Sequence, residues 1–183
     1  MAIQLKKSEG IKLSKGLEHI RFVVAWGSNE DVDISAMILK DGQAILDEDY
    51  VFYHNRDSIT GAVKHLGDVR DGSRQDGDDE TIKADLNKFE LDRNQLLFVA
   101  SIYDAATKGV DFGKIGKVVC KLINDDTNEV LATYQVDKDL DMEVCGVLCA
   151  VKKQDNGEWK FEAVGQPYNS IESLLSNYGF EVD

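Results

Sequence analysis

Carboxylates are the residues of this chain most densely placed for chemistry. From Gly67 to Glu80 the sequence reads GDVRDGSRQDGDDE, with Asp68, Asp71, Asp76, Asp78, Asp79 and Glu80 set among glycines at 67, 72 and 77. Nothing in the stretch can fill a core, and carboxylates this close repel one another. Such a stretch is either solvated surface or held together by a cation. Hard divalent ions such as calcium take about six to eight oxygens at roughly 2.3–2.6 Å, from carboxylates and backbone carbonyls on a sharply turning chain. Glycine supplies those turns because it reaches positive φ at little steric cost. The stretch reads as a long acidic metal-binding loop. It is not an EF-hand: Asp76, Asp78 and Glu80 have the alternate spacing, but Thr81 stands where that template needs glycine.

A closed cation site draws on more than one segment, and Asp31 and Asp33 are the next candidates. In an extended chain Val32, Ile34, Ala36 and Ile38 share one face, and Asp31, Asp33 and Ser35 share the other. Asp47, Glu48 and Asp49 read as a solvated turn. Catalytic signals are weak. His19, His54 and His65 lack metal-ligand spacing, and neither a GxSxG elbow nor a P-loop occurs. Arg70 and Arg74 lie within the acidic stretch and balance its charge. A non-enzyme is the leading expectation. Two alternatives stand beside it: a metal-dependent hydrolase of a phosphorylated or nucleotide substrate, and a small-ligand binding protein using the aromatics of DYVFYHN (49–55).

The elements that must position these residues are mostly strands. HIRFVVAWG (19–27) is β-branched and aromatic, VDISAMILK (32–40) alternates, and Asp41-Gly42 marks a tight hairpin turn. DEDYVFYHN runs from an acidic turn into a strand, and TIKADL (81–86) restarts the alternation beyond the acidic stretch. NQLLFVASIYD (94–104) is nearly continuous in apolar residues and predicts a central strand. GKVVCKLIND with NEVLATYQV, and MEVCGVLCAVKK with GEWKFEAVG, predict two hairpins joined by DDTN and QDNG. Within the latter, Cys145 and Cys149 are expected on one strand face, as buried apolar residues. Ile171, Leu174, Leu175 and Tyr178 follow helical spacing, with Asn169 or Ser170 to cap the start and Gly179 to stop the end. DKDLDMEV offers one further helical turn. Many short strands predict a mainly β fold, a β-sandwich of two antiparallel or mixed sheets with a C-terminal helix on one flank.

Composition bounds the rest. The 183 residues suit a single domain over 1–183, and 43% hydrophobic with 30% charged residues is ordinary for a folded protein. A formal net charge of -13 disfavours nucleic acid and anionic membranes, which both need a positive footprint. Three cysteines without a CxxC pair suit a reducing compartment. The N-terminus lacks an apolar signal-peptide core and no run is long enough to span a bilayer, so a cytoplasmic location without membrane insertion is expected.

The order of motifs resembles the TerD family of tellurite-resistance and chemical-stress proteins over almost the whole chain. DVDISAMIL (31–39) is similar to that family's DLDASAFLL, and DYVFYHN to its DFVFYNN. GDVRDG followed by DGDDE (67–80) resembles GDNRTG followed by EGDDE, and SIYDA (101–105), DFGKI (111–115) and WKFEAVGQPY (159–168) match further family segments in the same order. The resemblance implies a β-sandwich binding one or two calcium ions through Asp31, Asp33, Asp68, Asp78, Asp79 and Glu80. It implies a stress-response role; calcium and other stress-response proteins are the expected partners. Val69 stands where the family has Asn and can offer only its carbonyl, while Asp71 replaces Thr and adds a carboxylate. Asp76 completes the candidate set.

Overall fold

Among residues 2–67 and 80–182, which the computed structural model describes, the alternating patterns become twelve strands and four short helices. The strands are β1 (Ile3–Leu5), β2 (Gly10–Lys12), β3 (His19–Trp26), β4 (Val32–Leu39), β5 (Tyr50–Val51), β6 (Val63–His65), β7 (Glu80–Asp85), β8 (Gln95–Ile102), β9 (Val118–Asn124), β10 (Glu129–Gln135), β11 (Cys145–Lys153) and β12 (Trp159–Tyr168). The helices are α1 (Ala105–Lys108), α2 (Phe112–Ile115), α3 (Asp137–Leu140) and α4 (Ile171–Asn177). Two sheets result, ordered β1-β10-β9-β3-β7-β6 and β2-β12-β11-β8-β4-β5. The first is mixed, because β1 joins β10 in parallel; the pairings of the second are antiparallel. The mainly β, sandwich-like expectation holds.

The core lies between the inner faces. Phe22 of β3 stacks on Phe98 of β8 with ring centroids 4.0 Å apart, and Phe161 of β12 tilts against Phe22 at 6.5 Å. Leu96, Phe98, Ala100 and Ile102 of β8 enter this core. Leu97 and Val99 face the other way, into a second apolar cluster with Met37, Leu39, Leu174 of α4 and Phe180. Helix α4 therefore covers the outer face of the second sheet, which explains why β8 reads as continuously apolar: both of its faces are buried. Ser170 begins α4, its Oγ accepting the Ser173 N–H at 3.1 Å, and Gly179 ends it at φ 88°. Asp41 and Gly42 both take positive φ, 47° and 82°, as the two central residues of the tight hairpin turn must.

Two expectations are corrected. Cys145 packs in the outer cluster and Cys149 in the inter-sheet core. A β-bulge separates them: Val147 lies opposite Val99 and Cys149 opposite Phe98, leaving Leu148 as the extra residue. One added residue reverses the alternation of everything after it. The strand expected in DYVFYHN is cut to the two residues of β5, because Phe52 and Asn55 close a turn with reciprocal backbone hydrogen bonds of 3.1 and 3.0 Å. Asn55 Nδ2 also donates to the Tyr50 carbonyl at 2.7 Å. The short β5 leaves part of β4 uncovered, and the candidate site forms there.

Candidate functional site

Strand β4 carries the expected alternation. Val32, Ile34, Ala36 and Ile38 enter the inter-sheet core, while Asp33 and Ser35 line a cavity on the outer face of the second sheet. One side of β4 is paired with β8 from Val32 opposite Ile102 to Leu39 opposite Gln95. On the other side β5 reaches only Ala36 and Met37, so Ile34 lies beyond its end. Backbone groups buried in such a position need partners.

Side chains of the first sheet supply them. Glu80, the first residue of β7, accepts the Ile34 N–H through Oε2 at 2.7 Å. His65, the last residue of β6, meets the Ile34 carbonyl through Nε2 at 2.9 Å. Its Nδ1 lies 3.0 Å from the Gly67 backbone N–H and accepts from it, which places the ring proton on Nε2 as donor to Ile34. Only 3% of His65 and 1% of Glu80 are exposed, and the imidazole Nε2 and the carboxylate Oε2 are 3.7 Å apart. A carboxylate and an imidazole thus do for Ile34 what a neighbouring strand would do, and they join the two sheets across the core edge.

Several of the candidate ligands can be placed. Gly67 and Glu80, which bound residues 68–79, are both tied to Ile34, one directly and one through His65, and Ile34 is the chain neighbour of Asp33. Asp31 is half-buried just before β4, and its carbonyl accepts the Tyr103 N–H at 2.8 Å. Asp68, Val69, Asp71, Asp76, Asp78 and Asp79 lie outside the described residues. Among the described residues no three His, Cys, Asp or Glu side chains gather closely enough to hold a metal ion. A cation site of the expected kind therefore needs ligands from 68–79.

The acidic turn at 47–49 departs from the solvated reading. Asp49 is 3% exposed and pairs with Arg93, whose Nη2 and Nε lie 3.0 and 3.2 Å from Oδ2. Burial pushes the Asp49 carboxyl above its ordinary range despite the opposing pull of Arg93. Asp47 receives the backbone N–H of Glu181 at 3.0 Å. This turn is tied into the fold by Arg93 and by the backbone of Glu181.

The chemistry of the other reactive groups is subdued. His19 lies 3.0 Å from Asp126 and 3.4 Å from Asp85, and the hydrogen bond to Asp126 raises its pKa. All three cysteines are free and buried. Burial first, then Glu172 and Glu143, push the Cys145 thiol up to about 12. Cys149 is raised by burial and by its contact with Cys120. Such thiols hold little of the reactive thiolate at neutral pH. Tyr50 packs beside Asp33, its hydroxyl donating to Ser35 Oγ at 3.1 Å, and burial carries its phenol up to about 12.

Sequence reasoning named the carboxylates but missed the supporting role of His65, whose signal is faint: one histidine at a strand end, two residues before the glycine that opens the acidic stretch. It also missed Tyr103 and Asp104, which sit at the turn after β8 and line the cavity with Asp33.

Comparison with known proteins places this architecture. Residues 1–178 match the TerD domain family model. The chain is 34% identical over 190 residues to tellurium resistance protein TerD of Serratia marcescens, covering 98% of each chain. It is 29% identical to general stress protein 16U of Bacillus subtilis over the full length of both. The fold superposes with a TM-score of 0.72 on a crystal structure described as a homologue of telluride resistance protein TerD from Streptomyces coelicolor, at 14% identity, covering 88% of this chain and 96% of that one.

Proposed function

Because this chain belongs to the TerD family, we propose that it is a calcium-binding stress-response protein acting as a non-catalytic interaction module. One or two calcium ions are held by carboxylates of Asp31, Asp33, Asp68, Asp71, Asp76, Asp78, Asp79 and Glu80, with the carbonyl of Val69. A stress-response role accords with relatives named for tellurium resistance and general stress. The observation that carries the calcium reading is the double anchoring at Ile34. The residues on either side of the acidic segment are fixed to the strand that bears Asp33, so the segment starts and finishes beside a carboxylate of another element.

Binding there neutralises part of the charge of -13. It also stabilises the folded chain, by about 2.7 kcal/mol at a hundredfold excess of ion over Kd. The ordered surface that results is offered to other stress-response proteins in the cytoplasm, where the three free thiols stay reduced. The non-catalytic part of the reading is supported by the buried thiols and by His65, whose ring nitrogens both serve the backbone.

The test is calorimetric titration of EDTA-stripped protein with calcium and then magnesium. Saturable calcium binding at one or two sites, with little response to magnesium and a rise in Tm, is the expected result. The Asp78→Asn/Asp79→Asn variant loses both the heat and the Tm rise; a variant that keeps them refutes the ligand assignment.

A further inference from the structure

The cavity on the outer face of the second sheet has a chemistry of its own. It measures about 550 Å³, within the roughly 300–1,000 Å³ typical of small-ligand sites. Asp33 and Ser35 of β4 and Ser101 of β8 lie on its sheet side, and residues of α4 close another side. Aromatic rings make up much of the remaining wall. Tyr50 and Phe52 stack at 4.8 Å, Tyr53 meets Phe52 edge-on at 5.5 Å, and Tyr103 joins from the turn after β8. Tyr53 and Tyr103 are 40% and 58% exposed, so ring surface is open to an incoming molecule.

Three carboxylates, Asp33, Asp104 and Glu172, line the same cavity, and the described lining residues include no lysine, arginine or histidine. Neither Asp104 nor Glu172 is ion-paired with a described basic residue. The first turn of α4 does not convert the cavity into an anion site: Ser170 Oγ accepts the Ser173 N–H and Glu172 adds a negative charge there. Aromatic faces attract cations through the ring quadrupole, and neighbouring carboxylates add to that attraction. Tyr103 already shows the preference, with Lys108 Nζ 5.7 Å from its ring centroid and 3.5 Å from Glu30.

We propose that this cavity binds a small organic cation, an alkylated ammonium with an apolar body. The charged head sits against the rings of Tyr53 and Tyr103 near Asp104 and Glu172, and the body packs over Phe52 and Tyr50. An inorganic cation has no use for the rings, an anion meets the carboxylates of Asp104 and Glu172, and a neutral apolar molecule leaves those two without a counter-charge from the described residues. Asp33 is shared with the proposed calcium ligands, but the rings, Asp104 and Glu172 lie outside them, so the two readings are tested separately.

The test uses choline and its uncharged isostere 3,3-dimethyl-1-butanol, titrated into EDTA-treated protein and followed by NMR shifts of the tyrosine ring protons. Choline is expected to bind saturably with Tyr53 and Tyr103 responding, and the isostere about tenfold or more weakly. The Asp104→Asn/Glu172→Gln variant keeps every side-chain shape, and Asn tolerates the left-handed backbone at position 104 (φ 55°). It is expected to lose at least about fivefold in choline affinity while its calcium titration matches the parent. Tyr103→Leu, at an exposed position, is expected to weaken choline to a similar degree. Equal binding of the two probes, an unchanged choline affinity in both variants, or no shift with choline overturns the proposal. Each of those outcomes is read in EDTA and so leaves the calcium result untouched.

Discussion

His65→Leu is the substitution that most directly probes how the acidic segment is held. It keeps a side chain of similar bulk at a position 3% exposed but removes two hydrogen bonds, one to the Ile34 carbonyl and one from the Gly67 N–H. Ile34 is 1% exposed, so its carbonyl loses its partner where water does not reach, a cost of about 1–3 kcal/mol. Gly67 is only half-buried, and water replaces the imidazole there at little cost. The added apolar surface of leucine returns a fraction of the loss, about 0.5 kcal/mol for roughly 20 Å². The net is about 1.5 kcal/mol, or about 3–6 °C in Tm for a chain of this size. Thermal and urea melts in EDTA measure it without any contribution from metal. Amide hydrogen exchange adds a local readout: the Gly67 N–H loses protection, while the Ile34 N–H, still bonded to Glu80, keeps it. A Tm within a degree of the parent, or equal protection at Gly67, would falsify the idea that the imidazole holds this edge.

Two further predictions concern buried groups. Arg93→Met leaves the Asp49 carboxylate buried without its cation and costs about 3–5 kcal/mol at neutral pH; chemical denaturation measures it. Because burial already raises the Asp49 pKa and loss of Arg93 raises it further, the folded variant takes up a proton more readily than the unfolded chain. Its deficit therefore shrinks as pH falls through the raised value, and a deficit constant from neutral to acid pH is the contrary result. With Cys145 held up near 12 and Cys120 and Cys149 buried in the core, an aromatic disulfide reagent at pH 8 reacts with the native protein far more slowly than with a free thiol, and with all three once denaturant is added. Rapid reaction of any one thiol in the native state contradicts this.

The strand content was legible because most strands have a single buried face or sit centrally with two. The alternation from Val32 to Ile38, the positive-φ turn at Asp41-Gly42 and the helical spacing of Ile171, Leu174 and Leu175 are local signals, and all three survive folding. The face of Cys149 was not legible, because a bulge depends on the register with β8 and leaves no mark in residue types: Val147, Leu148 and Cys149 are all apolar. The burial of Asp49 was hidden for a related reason, since its partner Arg93 is remote in the sequence and three adjacent acids look like surface. Of the candidate site, the carboxylates were visible as composition. Their support was not, because the bonds from His65 and Glu80 run to the backbone of a distant strand, and a backbone partner has no sequence signature.

The closure of β4 at Ile34 also bears on how copies of this protein behave at high concentration. A strand whose outer edge ends early presents unpaired N–H and C=O groups, and such edges template pairing between molecules. Here the two-residue β5 covers Ala36 and Met37, and Glu80 with His65 occupies the groups of Ile34, so the rung beyond β5 is taken by side chains that cannot propagate a sheet. Withdrawing either side chain uncovers that rung and leaves backbone groups of β4 open to pairing with another strand. The pairing of Ile34 by side chains thus guards the edge of β4 as well as positioning the carboxylates beside it.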